Sequence, residues 1–174
     1  MKITSNWKRV GLGAVTLLSA VTLAACGGSS SSSSSSKNEI NWCIPTEINT
    51  LDISKNTDTY SSIAIGNSGS NLLRRDKKGE LKPDLAEKVE VSDDGLTYTA
   101  TLRDNLKWSD GSDLTAEDFV YTWQRIVDPT TASEYAYLAS DAHVLNAEEV
   151  IAGTKSVDEL GVKADGNKVI FTLS

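Results

Sequence analysis

The sequence contains few of the side chains that metal sites and hydrolases require. Its 174 residues include one histidine, His143, and two cysteines, Cys26 and Cys43. A transition-metal site needs several such ligands at suitable spacing, and no paired spacing is present. There is no Gly-x-Ser-x-Gly motif and no histidine beside a plausible nucleophile. The acidic residues fall at predicted caps and turns, which disfavours a glycosidase pair. We therefore expect no enzymatic activity, no metal site and no cofactor.

An excess of basic residues is also absent, since 17 Lys and Arg stand against 24 Asp and Glu. The formal net charge is −7, and removal of residues 1–25, which hold three basic residues and no acidic residue, changes it to −10. A protein with this net acidic charge repels the phosphates of nucleic acids. We therefore expect no nucleic acid partner.

The first residues have the pattern of an export signal. Three basic residues precede an uncharged, largely apolar stretch of 16 residues from Val10 to Ala25. A membrane-spanning helix needs about 20 apolar residues, so this stretch is short for one. It ends in Leu23-Ala24-Ala25-Cys26, which resembles the lipobox of bacterial lipoprotein signal peptides. Residues 1–25 are therefore predicted to be a signal peptide, with an ordinary secretory signal or a membrane anchor as the alternatives.

The lipobox resemblance implies that Cys26 carries lipid, including palmitate, and holds the mature chain at the extracytoplasmic face of the cell membrane. Residues 26–36 continue with two glycines and eight serines, a composition typical of a flexible tether. Once Cys26 is lipidated, Cys43 is the one other cysteine, so no intrachain disulfide is expected. The folded part is predicted to begin at residue 37.

Alternating residues predict the strands. The apolar residues Ile40, Trp42 and Ile44 predict a half-buried strand that ends at Pro45. From Leu96 to Leu102, apolar residues alternate with threonines, which predicts a strand with its threonines facing solvent.

Turn residues divide the rest of the chain. Asp93-Asp94-Gly95 separates Val89 and Val91 from the Leu96–Leu102 strand and predicts a hairpin. Asp165-Gly166-Asn167 predicts another hairpin between residues 162–164 and 168–173. Residues 52–71, rich in Ser, Thr, Asn and Gly, are expected to form a long loop with one helical turn.

The clearest helix signal lies between residues 115 and 128. Thr115 and Asp118 occupy the positions of a capping box, and Asp128-Pro129 stops the helix. Between them, an apolar stripe at helical spacing consists of Phe119, Val120, Trp123, Ile126 and Val127. Residues 146–152, closed by Gly153, predict a second helix, and residues 156–159 predict a short capped turn. The elements together indicate an α+β fold without internal repeats.

Several motifs resemble those of the solute-binding proteins of peptide ABC importers, known as family 5 of the bacterial extracellular solute-binding proteins. These motifs run from Leu81 to Glu87, from Asp94 to Tyr98, from Leu102 to Gly111, from Leu114 to Arg125, from Asp128 to Tyr135 and from Leu160 to Ala164. The last two are similar to the oligopeptide-binding branch in particular. The resemblance covers about residues 39–174. It implies that residues 37–174 are part of the first lobe of a two-lobed, type II periplasmic-binding-protein-like fold.

Most residues of these motifs are expected to build the scaffold. Trp108, Phe119 and Trp123 are predicted to lie in the core, and Arg103 is predicted to pair with a nearby acidic residue. Glycines such as Gly95 and Gly111 are expected where the turns require them.

The family resemblance implies two places for contacts with a peptide. The first is the segment after Leu51-Asp52, which corresponds here to Thr57, Asp58 and Thr59. The second is Tyr135, whose hydroxyl would face the peptide backbone. The family usually has proline after the Leu-Asp pair, whereas this chain has Ile53.

The resemblance implies a receptor that binds oligopeptides and delivers them to the permease subunits of an ABC importer. Members of the family are longer, and the acidic residue that holds the peptide amine lies in their second lobe. We therefore expect the present chain to contain part of lobe one and to bind peptide weakly or not at all. The alternatives are a carrier for a pheromone, nickel or haem in the same superfamily, a fragment of a working receptor, or a non-functional truncated remnant.

Overall fold

The computed structural model describes residues 42–174. The chain divides into two units, Met1–Cys43 and Ile44–Ser174, and only residues 42 and 43 of the first unit are described. The predicted signal peptide, Cys26 and the tether therefore lie outside the described residues. The domain boundary at residue 37 stays a prediction. No helix within residues 42–174 has both the length and the apolar character needed to cross a bilayer.

The unit Ile44–Ser174 contains helices and strands in mixed order. They are α1 (Thr59–Ser68), β1 (Leu73–Arg75), β2 (Leu81–Pro83), β3 (Ala86–Val91), β4 (Thr97–Leu102), α2 (Ala116–Val127), α3 (Tyr137–Asp141), α4 (Ala147–Ile151), a 3₁₀ turn (Val157–Glu159), β5 (Val162–Asp165) and β6 (Lys168–Thr172).

The main sheet has four antiparallel strands in the order β3-β4-β6-β5. β1 and β2 form a separate antiparallel pair, with Leu73 opposite Pro83. Both predicted hairpins are confirmed, namely β3 with β4 and β5 with β6. The sheet joins them because β6 lies beside β4, with Tyr98 opposite Phe171 and Ala100 opposite Val169.

α2 packs its apolar face against the sheet, as its sequence predicts. The N–H of Thr115 donates to Asp118 Oδ2 at 2.8 Å, and the helix ends at Val127 before Asp128-Pro129. Val127 is fully buried, while the ring of Trp123 meets that of Phe171 edge to face at a centroid distance of 5.5 Å. The core around it contains Leu102, Val150, Leu160, Val162 and Val169.

The other helical predictions are confirmed in α4 and the 3₁₀ turn. Gly153 follows α4 with a positive φ of 71°, a backbone conformation that glycine adopts at low cost. The N–H of Ser156 donates to Glu159 Oε2 at 3.0 Å, which completes the predicted cap. The sequence did not indicate the five-residue helix α3.

The predicted loop over residues 52–71 is wrong, because residues 59–68 form α1. Asp58 is the N-cap of this helix, and its Oδ1 accepts a hydrogen bond from the Ser61 N–H at 2.8 Å. A side-chain acceptor at this position satisfies a backbone donor that the first helical turn leaves unpaired. The polar composition therefore concealed a capped helix.

The predicted strand from Ile40 to Ile44 is not seen in its described part. Residues 42–44 have no strand conformation, and Trp42 is 61% exposed. A strand needs a neighbour for its hydrogen bonds. Within residues 42–174, all six strands already pair among themselves.

Two burial predictions also need correction. In β4, Ala100 and Leu102 are buried, but Tyr98 is exposed and the three threonines are half-buried. β4 lies between β3 and β6, so neighbouring side chains cover parts of both its faces. Trp108 is 48% exposed and not in the core, because it lies in a tight turn where the Gly111 N–H donates to the Trp108 carbonyl oxygen.

Candidate functional site

An open depression of about 450 Å³ lies between the start of α1 and the segment after α2. Its lining comprises Ile53, Asn56, Thr57, Asp58, Thr59, Ser62, Ile126, Tyr135 and Leu138. The four residues predicted to contact peptide are thus brought together, although Tyr135 lies far from the other three in the sequence. Cys26, the predicted lipidation residue, lies outside the described residues.

Short side-chain hydrogen bonds fix the loop that leads into the depression. Thr50 Oγ1 accepts from the Asp52 N–H at 3.0 Å, and Asp52 Oδ1 accepts from the Ser54 N–H at 3.0 Å. Asn56 Oδ1 then accepts from the Asp58 N–H at 3.2 Å. These bonds within two residues are turn-forming contacts of Asx and Thr side chains. They hold the loop without a strand or helix.

The carboxylate of Asp58 is occupied by its own surroundings. Besides the Ser61 N–H, it accepts from the Ser61 hydroxyl at 2.6 Å and from Asn49 Nδ2 at 3.2 Å. The bond from the Ser61 hydroxyl is the main reason that the pKa of Asp58 is lowered. Asp58 therefore supports the shape of the depression and has little free acceptor capacity for a ligand.

The main chain of Thr57 is unpaired, like that of Asn56 before it. Within residues 42–174, neither its N–H nor its carbonyl oxygen has a hydrogen-bond partner in the protein, and the residue is exposed. Thr57 thus presents one donor and one acceptor at the edge of the depression. An extended ligand main chain needs the same pair of groups to add itself as a strand.

Tyr135 lines the same depression as Thr57. A turn after α2 places it, in which Thr130 N–H donates to Asp128 Oδ1 at 2.8 Å and Ala132 has a φ of 53°. The Tyr135 side chain is 39% exposed, and its ring lies 6.1 Å from that of Tyr137. The described part of the chain supplies no partner for its hydroxyl, so the group is available to a ligand.

A bidentate ion pair lies behind the depression. Arg125 Nη1 donates to Asp52 Oδ1 at 2.5 Å, and Nη2 donates to Asp52 Oδ2 at 2.6 Å. The hydrogen bond from Arg125 is the main reason that the pKa of the Asp52 carboxyl falls to about 2. About 30% of each side chain remains exposed. The predicted pairing of Arg103 is wrong, since its exposed side chain pairs with no acidic residue among residues 42–174.

Sequence reasoning missed the apolar wall of the depression. Ile53, Ile126 and Leu138 line it together with the polar residues. Ile126 had been assigned to the core-facing stripe of α2, where it is only half-buried. A helical stripe does not show that one of its members also borders a surface depression.

A second depression, of about 290 Å³, is almost wholly apolar. It lies beside the main sheet, where Val89, Tyr98, Trp123 and Phe171 line it. It offers few hydrogen-bonding groups for a peptide backbone, so the depression at Thr57 is the better candidate. Within residues 42–174, no group of three His, Cys, Asp or Glu side chains is arranged to hold a metal ion.

The sequence and the fold both match known proteins. Residues 80–174 match the family described as Bacterial extracellular solute-binding proteins, family 5 Middle. A dipeptide-binding protein of Lactococcus lactis subsp. cremoris is 48% identical over 160 residues, which are 92% of this chain and 28% of that protein. The chain belongs to family 5 of the bacterial extracellular solute-binding proteins.

Solved structures of similar proteins agree with this family 5 assignment. The murein tripeptide-binding protein MppA of Escherichia coli matches with a TM-score of 0.72 and 39% identity, over 75% of this chain and 26% of that one. The substrate-binding domain of an oligopeptide ABC transporter from Bacillus anthracis matches with a TM-score of 0.70 and 47% identity, over 74% and 24%. The predicted fold class, an α+β part of a two-lobed periplasmic-binding-protein-like fold, is confirmed.

The family 5 chain described here spans less than a third of the length of these relatives. More than two thirds of each of these relatives therefore lies outside the matched region.

Proposed function

We propose that this chain belongs to an extracytoplasmic receptor that binds oligopeptides for an ABC importer, and that the depression at Thr57 and Tyr135 forms one wall of its peptide cleft. The observation that carries this proposal is that Thr57, with its unpaired main chain, and Tyr135, with its unpaired hydroxyl, line the same depression. Binding of this kind involves hydrogen bonds and burial and needs no covalent chemistry.

A peptide would bind by adding its main chain to the protein edge at Thr57. The Thr57 N–H and carbonyl oxygen would pair with the peptide backbone, and the Tyr135 hydroxyl would donate to a peptide carbonyl oxygen. Because these contacts involve only main-chain groups of the ligand, they do not select side chains. Ile53, Ile126 and Leu138 offer an apolar surface to whichever side chain points inward.

The matched relatives support this proposal, since their names describe proteins that bind dipeptides, oligopeptides and a murein peptide. In a receptor of this class, a second lobe would close over the peptide, and the closed form would engage the permease subunits. Thr59 and Asp58 would keep the start of α1 in place beneath the ligand. The 174 residues alone would provide only part of the contacts.

We also propose that the receptor is a lipoprotein held at the outer face of the cell membrane through Cys26. The lipobox-like sequence Leu23-Ala24-Ala25-Cys26 and the serine tether after it support this. Cys26→Ala should leave an unprocessed precursor that no longer incorporates labelled palmitate, whereas Cys43→Ala should be processed like the parent. Normal lipidation of Cys26→Ala would contradict the anchor.

Tyr135 allows the peptide site to be tested in a complete cleft. We suggest a chimera in which these 174 residues replace the matching segment of the Lactococcus dipeptide-binding protein. Calorimetry with oligoalanines, from dialanine to pentaalanine, should show binding that Tyr135→Phe weakens by about three- to tenfold, since one hydrogen bond is lost. Tyr137→Phe, on the neighbouring ring outside the depression, is the matched control. Equal affinities for the chimera and its Tyr135→Phe variant would remove Tyr135 from the site.

A further inference from the structure

The Asp52–Arg125 ion pair connects the two sides of the depression at one point. Arg125 lies in the last turn of α2, and Asp52 lies in the loop that leads to Thr57. The next residue after each partner, Ile53 and Ile126, lines the depression. The ion pair therefore joins the chain segments that carry Ile53 and Ile126, and it can fix the distance between these two sides of the depression.

The geometry of the pair is well suited to fixing an orientation. Nη1 donates to Oδ1 and Nη2 donates to Oδ2, so the two parallel hydrogen bonds fix the guanidinium plane relative to the carboxylate. Asp52 Oδ1 also accepts from the Ser54 N–H, which ties the carboxylate to the main chain of the loop. These hydrogen bonds thus link the side chain of Arg125 on α2 to the main chain of the loop at Ser54.

Other contacts hold the far end of the loop but leave Thr57 itself without support. Asn49 and Ser61 fix Asp58, and Asn56 Nδ2 donates to Ser62 Oγ at 2.8 Å. Among residues 49–58, the one charged contact to α2 is the pair at Asp52. Without it, no ion pair would join this loop to α2.

We propose that Asp52 and Arg125 are positioning residues for peptide binding, which hold the unpaired main chain of Thr57 at a set distance from Tyr135. This inference rests on the proposed peptide function of the depression. Partly exposed ion pairs add little to global stability. The effect of the pair should therefore appear in the order of the loop and in peptide affinity, while the fold stays intact.

Hydrogen exchange of the 174-residue chain tests the ordering without any ligand. Arg125→Gln and Asp52→Asn should each speed amide exchange in residues 52–58 by about tenfold, whereas the β3–β4 hairpin should be unchanged. Arg125→Lys keeps the charge but cannot form two parallel hydrogen bonds, so its exchange rates in residues 52–58 should lie between those of the parent and of Arg125→Gln. Arg103→Gln, at an exposed arginine without an ion pair in the described residues, is the matched control. Unchanged exchange in residues 52–58 of both Arg125→Gln and Asp52→Asn would overturn the inference.

Peptide affinity in the chimera with the Lactococcus protein provides the second measurement. Arg125→Gln should weaken oligoalanine binding by about tenfold, and Arg125→Lys should recover part of that loss. If the parent chimera binds and Arg125→Gln binds equally well, the positioning role is overturned while the peptide site stands. If the parent chimera does not bind oligoalanine, or if Tyr135→Phe binds it as tightly as the parent, the proposed function fails, and the positioning role fails with it.

Discussion

The main chains of Gly161 and Thr172 lie against each other so closely that only a hydrogen atom fits at the α-carbon of residue 161. Thr172 N–H donates to the Gly161 carbonyl oxygen at 2.7 Å, and a β-carbon on residue 161 would lie 2.5 Å from the Thr172 carbonyl oxygen. Leu145 closes the third side, since the Gly161 N–H donates to its carbonyl oxygen at 2.8 Å. This junction joins β6 to the segments around α4 and β5.

Gly161→Ala should therefore destabilise the fold. The atoms that a methyl group would meet belong mainly to the backbone and cannot rotate away, so we expect the free energy of unfolding to fall by about 2–4 kcal/mol. Urea denaturation measures this. Gly66→Ala, in the exposed part of α1 with no atom within 4 Å of the new methyl group, is the control and should stabilise by about 0.5–1 kcal/mol. Equal changes in the free energy of unfolding for the two substitutions would contradict the close packing at Gly161.

Thr101→Val should stabilise the sheet. Thr101 Oγ1 is buried in β4 without a hydrogen-bond partner among the described residues, so the folded state loses the hydration of this hydroxyl without replacement. Valine keeps the shape and favours strands, and we expect a gain of about 1 kcal/mol in thermal or urea denaturation. Thr99→Val on the same strand should change stability less. A loss of stability in Thr101→Val would show that its hydroxyl does have a partner.

Asp58→Ala should fray the start of α1. The substitution removes the acceptor for the Ser61 N–H, and loss of an N-cap costs about 1 kcal/mol. Faster amide exchange in residues 59–62, relative to the β5–β6 hairpin, would report this. Asp58→Asn keeps a capping oxygen and should retain most of the protection. If Asp58→Ala and Asp58→Asn exchange alike, the cap does not depend on the side-chain oxygen.

The Asp52–Arg125 pair should make stability depend on acid pH. The pKa of Asp52 is lowered from 3.8 to about 2 in the folded state, so the unfolded state binds a proton first as the pH falls. The contribution of Asp52 is fully present above about pH 4 and is lost as the pH falls to about 2. With screening of a partly exposed pair, we expect a contribution of at most about 1 kcal/mol.

Asp52→Asn isolates this contribution from that of the other acidic residues. The difference in the free energy of unfolding between the parent and Asp52→Asn should be constant from about pH 7 to pH 4 and should shrink towards pH 2. Urea denaturation at several pH values would measure it. A difference that does not change below pH 4 would show that Asp52 is not held in its charged form by Arg125.

Local signals allowed α2 to be predicted with its ends, because a cap, an apolar stripe and a proline all lie within one segment. The same holds for the β5–β6 hairpin, whose turn includes Gly166 with a φ of 58°. In contrast, α1 was missed because its one start signal, Asp58, is followed by a polar sequence with a weak apolar face. Trp108 was placed in the core by its residue type, although a turn holds it at the surface.

The candidate site depends on contacts that no local pattern contains. Asp52 and Arg125 are 73 residues apart, and the depression joins the start of α1 to Tyr135. The family resemblance identified Thr57 to Thr59 and Tyr135, but not the apolar wall or the ion pair behind it. Arg103 and Arg125 lie in two successive family motifs. Only the three-dimensional arrangement shows that Arg125 forms an ion pair and that Arg103 is exposed.

The strand order β3-β4-β6-β5 also fixes the order in which the sheet can be completed during synthesis. The β3–β4 hairpin is made by residue 102, but the edge of β4 that receives β6 stays uncovered until residues 168–172 are made. At about 5–20 residues per second, that interval lasts several seconds. The open edge of β4 is then a template for pairing with another chain. The slow, long-range closure of this seam therefore makes the nascent chain prone to aggregate until β6 is made.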